Sequence, residues 1–134
     1  MNFSELNFLA VFVSALACFV LGGFWYSSYM FKSAWLDGCG LTDVDLANAS
    51  MKKVFLLAFI LSLIASFAFA LFLGPNPDLG FAVGAGFVAG IAWVATSFGI
   101  SYLFEQRPLK LFLVNGGYHT VQFTLIGFIL GLWS

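Results

Sequence analysis

The hydrophobic pattern divides the chain into four long apolar runs, residues 6–28, 53–74, 79–104 and 109–133. Each is long enough to cross a hydrocarbon core, which takes about 20 helical residues. Strands of a membrane barrel would alternate apolar and polar positions over about ten residues, and these runs do not. The expected fold is an all-α membrane protein, a four-transmembrane-helix bundle forming one integral membrane domain over residues 1–134. Gly74-Pro75-Asn76-Pro77 is a strong turn signal between runs two and three. Arg107-Pro108 separates runs three and four, with proline suited to the first turn of the last helix. The only sizeable polar stretch is the connection 31–51. There, Thr42-Asp43-Val44-Asp45 has the form of a capping box, which predicts that the second span begins as a helix before it enters the bilayer. "SALAC" (14–18) resembles a signal-peptide cleavage site, but Glu5 stands where a basic segment belongs, so an uncleaved first span is expected.

Charge orients these spans. Lys32, Lys52 and Lys53 lie in the first connection and Arg107 and Lys110 in the third, while the second holds Asp78 and no basic residue. All five basic side chains thus fall on one side, which the positive-inside rule makes cytoplasmic, with both termini non-cytoplasmic. Trp25, Tyr26, Tyr29 and Trp35 suit the aromatic belt at that interface.

Composition agrees. The chain is 62% hydrophobic and 8% charged, with a mean hydropathy of +1.02. Soluble domains run at roughly 25% charged and 45–50% apolar, so the solvent implied here is the lipid bilayer. A net charge of -1, with only five scattered Lys and Arg, argues against a nucleic-acid partner. Cys18 lies in an apolar run and Cys39 in the polar connection, so no disulfide is expected. Neither has metal-ligand spacing, and no metal or cofactor is expected.

Two pairs of short strings match. "SYMFK" (28–32) and "SYLFE" (101–105) close runs one and three, and "KVFLL" (53–57) and "KLFLV" (110–114) open runs two and four. They predict a two-helix unit used twice, its copies parallel and related by an axis along the membrane normal. Convergent boundary chemistry accounts for the matches equally well. Under duplication, Ser62 takes the place in span two that His119 takes in span four.

The last run carries the chemistry. At 100° per residue, Asn115, Tyr118, His119 and Gln122 share an arc of about 100°. Gly116, Thr120, Thr124, Gly127 and Gly131 form a roughly opposite arc for close helix approach. Val114, Val121, Leu125 and Phe128 form the expected lipid face. Complementary faces are expected at Asn7, Ser14, Cys18, Gly22 and Trp25 on span one. On span three they are Ala82, Gly86, Ala89, Gly90, Trp93, Thr96 and Ser97. Span two, rich in Phe, is expected to be the most lipid-exposed. His119 lies about 13–14 Å beyond Lys110 along the axis, near the bilayer midplane. An ionisable residue at that depth is a functional candidate, and the alternative is an interhelical clamp with Asn115, Gln122 or Ser62. At the cytoplasmic edge, Glu105, Arg107 and Lys110 read as an orientation signal with a local ion pair, or as a substrate or headgroup contact.

"LGGFWYSSYMFKSAW" (21–35) and "YLFEQRPLKLFLVNGGYHTV" (102–121) resemble the two hallmark segments of a small bacterial membrane-protein family, domain of unknown function 1761. The resemblance implies four spans in the same places and a bacterial inner-membrane location. It marks Trp25, Tyr26, Ser27, Glu105, Arg107, Pro108, Lys110, Asn115, Gly117, Tyr118 and His119 as family positions. Ser28 departs from the pattern, which places proline after the Trp-Tyr-Ser triplet. The family brings no activity with it.

Two functions fit these residues, and the depth of His119 favours the first. One is a homo-oligomeric channel or carrier for protons or a small solute, with His119 on the path. The other is a non-catalytic membrane module that binds lipid or packs against a partner membrane protein, with the polar arc as interhelical glue. An enzyme is not expected, because no second ionisable group falls within a span and no nucleophile motif appears.

Overall fold

The computed structural model describes residues 5–133, and these are helical with no strand. In chain order the helices are α1 (Phe8–Trp25), α2 (Lys32–Cys39), α3 (Asp43–Asn48) and α4 (Met51–Leu73). A continuous rod, Leu79–Glu105, follows; it comprises α5 (Leu79–Val88), a π-helical segment (Ala89–Ala95) and α6 (Thr96–Glu105). The last helix is α7 (Leu109–Leu132). The long helices reproduce the four apolar runs to within a few residues. Among the described residues, Phe8–Trp25, Met51–Leu73 and Leu79–Glu105 are long and apolar enough to cross a membrane. The 24-residue α7 matches them in length, but Asn115, His119 and Gln122 dilute its apolar character. Those groups must find partners inside the protein if the helix is to lie in lipid.

Local chemistry sets the helix ends. The Asn7 side chain accepts from the Ala10 N–H at 3.0 Å to cap α1, and its amide donates to the Trp133 carbonyl at 3.0 Å. That second bond ties the start of α1 to the end of α7. Asp78 caps α5 by accepting from the Phe81 N–H at 3.1 Å. Gln106, in the left-handed region at φ 59°, closes α6. Pro108 stands one residue before α7, not in its first turn as expected.

The connection 31–51 is folded. The predicted capping box forms, with Asp45 N–H donating to Thr42 Oγ1 at 3.2 Å and Thr42 N–H to Asp45 Oδ2 at 2.9 Å. It starts the short α3, however, and not the second span. Extended backbone at Ala49 ends α3, and α4 begins afresh at Met51. Ahead of it, α2 rests on the start of α7, where a Cβ added to Gly38 would lie 3.0 Å from Leu111 Cβ. An ion pair from Lys110 to Asp37 reinforces that contact, and a 2.9 Å pair joins Lys32 to Asp43.

The two long hairpins close differently. α1 meets α4 through rings, with Phe12–Phe59 centroids 5.8 Å apart and Phe19–Phe55 centroids 5.7 Å apart. α4 is the least buried of the three most apolar helices, with Val54, Leu56, Leu61 and Ile64 exposed. Its buried residues are Ser62, Ser66, Phe69 and Ala70. By contrast, α5 meets α7 backbone to backbone. A Cβ on Gly86 would overlap the Phe123 carbonyl, and one on Gly127 the Ala82 carbonyl. On Gly90 it would lie 2.6 Å from Thr120 Cα. Small residues are what let these helices approach this closely.

The π-helical segment corrects the expected face of span three. Its wider turn takes up an extra residue and rotates everything beyond it. The contacts therefore run Ala82, Gly86, Gly90, then Ala95 and Gly99. Ala95 Cβ lies 3.2 Å from where Gly116 would carry a Cβ, and the Phe112 ring 3.0 Å from that point on Gly99. An uninterrupted α-period places Trp93, Thr96 and Ser97 on this face instead. Trp93 is 59% exposed. The Thr96 and Ser97 hydroxyls, also exposed, donate to the carbonyls of Ala92 and Trp93 in their own helix.

Candidate functional site

The polar arc of α7 divides into two hydrogen-bonded groups. The first is centred on Asn115. Its Oδ1 accepts from the Tyr26 hydroxyl at 2.6 Å, and its Nδ2 donates to the Tyr102 hydroxyl at 2.7 Å. One side-chain amide thereby joins the end of α1, the middle of α7 and the last turn of α6. One turn deeper, the buried Tyr118 hydroxyl donates to the Cys18 carbonyl at 2.9 Å. The Trp25 indole N–H donates to the Val114 carbonyl at 2.8 Å, and the Cys18 thiol contacts the Gln122 carbonyl at 3.8 Å. Together these bonds stitch α1 to α7 at Cys18 and Trp25 of the expected span-one face, while the buried Ser14 hydroxyl on the same face has no hydrogen-bond partner among the described residues.

The second group is His119 with Gln122. His119 Nδ1 lies 2.6 Å from Gln122 Oε1, a contact that engages one ring nitrogen within α7 and leaves Nε2 to other partners. The imidazole stacks on Phe98 with centroids 5.0 Å apart and planes at 11°. Tyr118 meets it edge-on at 4.9 Å. The expected interhelical clamp is therefore an intrahelical bond, because Gln122 lies one turn further along α7. Asn115 is committed to the tyrosines, and Ser62 lies on α4 beside Tyr118 in a separate groove. Under the two-unit reading, Ser62 and His119 thus occupy different surroundings.

Other expected positions need correction. Val114, assigned to the lipid face, is buried, while Val121 and Phe128 are exposed as expected. Trp25 and Tyr26 are half-buried and turn inward, so they are not a surface belt. The reach of a ring with a polar tip satisfies either role, and Asn115 and the Val114 carbonyl supply the inward partners. Glu105 pairs with Arg107 at 3.4 Å, the expected local contact, whereas Lys110 turns away to Asp37. The basic edge is therefore two separate pairs. Thr120 and Thr124 donate to the Gly116 and Thr120 carbonyls, which leaves the small-residue seam free of unpaired hydroxyls at these two positions.

Tyr102, Phe98 and Asp37 were not singled out by the sequence. Tyr102 had a usable signal, since it sits near the end of its span at the depth Asn115 occupies near the start of the next. Phe98 and Asp37 carried none. Both cysteines are free, Cys18 buried and Cys39 half-buried. Burial pushes the Cys39 thiol up from its ordinary range, and the Arg107 guanidinium partly offsets this.

Taken together, these contacts define an all-helical protein with membrane-length apolar helices and a hydrogen-bonded polar seam between them. A family model described as "Protein of unknown function (DUF1761)" matches residues 9–131, and the chain belongs to that family. No curated protein and no solved structure matches the chain.

Proposed function

We propose that this chain is a non-enzymatic membrane module whose polar arc holds its helices together, and that it works by binding lipid or packing against membrane partners. In this reading it crosses the bacterial inner membrane four times, α7 included, with both ends outside and the five basic residues at the cytoplasmic face. The observation that carries it is the Tyr26–Asn115–Tyr102 chain, in which both ends of one amide are used to link three helices. The apolarity that α7 lacks is offset by these internal bonds. A transport reading needs a hydrated path to His119. Against it stand the ring's stacking on Phe98 and the engagement of Nδ1 by Gln122. His119 Nε2 has no hydrogen-bond partner among the described residues, and a second copy of the chain is the partner we assign to it.

Purified protein in liposomes with an imposed pH gradient tests this. No proton flux above that of empty vesicles is expected, and His119→Ala should weaken chemical cross-linking between copies while leaving the helical content intact. A flux that His119→Ala abolishes overturns the module reading in favour of a channel.

The orientation has its own test at Cys39. A membrane-impermeant maleimide should label it only in inside-out vesicles, whereas buried Cys18 stays unlabelled in both orientations. Because burial raises the thiol's pKa, less thiolate is present at a given pH, and the rate should climb at higher pH than for an unburied cysteine. Arg107→Gln removes the opposing charge and should slow labelling further. Labelling of Cys39 in right-side-out vesicles alone reverses the topology.

A further inference from the structure

We propose that the groove between α1 and α4 holds one acyl chain of an anionic phospholipid from the leaflet on the basic side, with its phosphate at the start of α4. The inference rests on the module reading and names the ligand class and site. A groove of about 390 Å³ opens there, lined among others by Phe19, Gly22, Tyr26, Phe55, Ser62 and Tyr118. That volume falls in the range of small-ligand sites, roughly 300–1,000 Å³. Along α4 its lining runs from Met51 to Ser62, about 16 Å at the helical rise. This is close to half of a hydrocarbon core about 30 Å thick, the depth of one leaflet.

Its walls are largely apolar, and the hydroxyls of its two tyrosines already donate within the protein: Tyr26 to Asn115 and Tyr118 to the Cys18 carbonyl. A chain entering the groove therefore meets no unpaired tyrosine donor. Gly23 keeps the wall low, since a Cβ there would meet nothing within 4 Å.

The headgroup preference follows from the mouth. Lys32, Arg107 and Lys110 each have an acidic partner. Lys52 and Lys53, beside Met51 at the groove's edge, are exposed and have no ion pair among the described residues. No side chain caps the first turn of the 23-residue α4. Its free N–H groups and the helix dipole favour an anion at that end, as do the two lysines. Phosphatidylglycerol meets both requirements; zwitterionic phosphatidylcholine fills the groove without meeting the second.

Native mass spectrometry of the full chain, released from mixed phosphatidylglycerol–phosphatidylcholine vesicles, reads the site. One phosphatidylglycerol should survive per chain, preferred over phosphatidylcholine by about thirtyfold, the order expected of two lysines at a membrane surface. Lys52→Gln with Lys53→Gln should abolish the preference. Gly23→Leu places a side chain in open groove space and should remove the adduct with the melting temperature unchanged. Should Gly23→Leu impair folding, Ala58→Leu on the facing wall provides the same block. An adduct that persists in a folded, blocked variant overturns the proposal, as does equal retention of the two lipids. The module reading is judged separately by flux: its failure shows as a His119-dependent current, and failure of the groove shows in the adduct alone.

Discussion

Gly127→Val will force α7 away from α5 and cost about 3 kcal/mol, the upper end of what overpacking a well-filled interior costs. The first atom of the new side chain would already overlap the Ala82 carbonyl oxygen. No rotamer relieves this, because the conflict is between a Cβ and backbone. Gly86 presents the reciprocal geometry to Phe123, so Gly86→Ala should cost nearly as much, although it adds only a methyl group. Gly84, on the same helix, supplies the control, since a Cβ there meets nothing within 4 Å. Gly84→Ala should be neutral or stabilising by up to about 1 kcal/mol through helix propensity alone. Thermal unfolding followed by circular dichroism in mild detergent measures all three. If Gly127→Val melts with the wild type, the close α5–α7 approach is not a principal support of the fold.

That approach was half legible in the sequence. The α-period of run four placed Gly116, Thr120, Thr124, Gly127 and Gly131 on one face, and Gly116, Gly127 and Gly131 do meet span three across an unbroken α7; of the expected lipid face, Val121 and Phe128 are exposed and Leu125 is half-buried. Val114 was the exception: a valine reads as lipid-facing, and nothing local announces that the Trp25 indole will reach its carbonyl. Run three misled in a different way. Its period was read as uniform, yet the chain inserts a residue in the stretch Ala89–Ala95, just where Gly90 meets Thr120. The wider turn moves Trp93, Thr96 and Ser97 off the packed face, although Trp93 and Ser97 lay nearly in phase with Gly86 on a uniform α-period. The spacing Gly86, Gly90, Ala95, Gly99, with its one step of five, is the trace of the slip left in the sequence.

The candidate site was legible by residue and illegible by pairing. Asn115, Tyr118, His119 and Gln122 stood out because each is out of place among leucines. Depth and helix face gave their common side but not who bonds to whom. Asn115 went to two tyrosines on other helices, while His119 went to Gln122 on its own. The hydrogen-bonding groups at each position were foreseeable. Their partners depended on how far α1 leans toward α7, which the Trp25 and Tyr118 bonds fix and which no single helix encodes.

Asn115→Leu turns that pairing into a measurement. Leucine is similar in size and better suited to lipid, so a simple apolarity argument predicts a gain. The structure predicts a loss of about 2 kcal/mol, within the range for stranding buried polar partners. Removing the amide leaves the hydroxyls of Tyr26 and Tyr102 without the group that served both. The decisive variant removes the hydroxyls as well. In Tyr26→Phe, Tyr102→Phe, Asn115→Leu no polar group remains to be stranded, and stability should return to within about 1 kcal/mol of the wild type. Such recovery is strongly non-additive, as expected for groups sharing one bond network. It would also bear on function: a protein that tolerates loss of the whole chain of bonds, but not of its middle, uses those groups as glue and not as a path. If Asn115→Leu alone proves neutral, the amide does not clamp the three helices, and the module reading loses the observation it stands on.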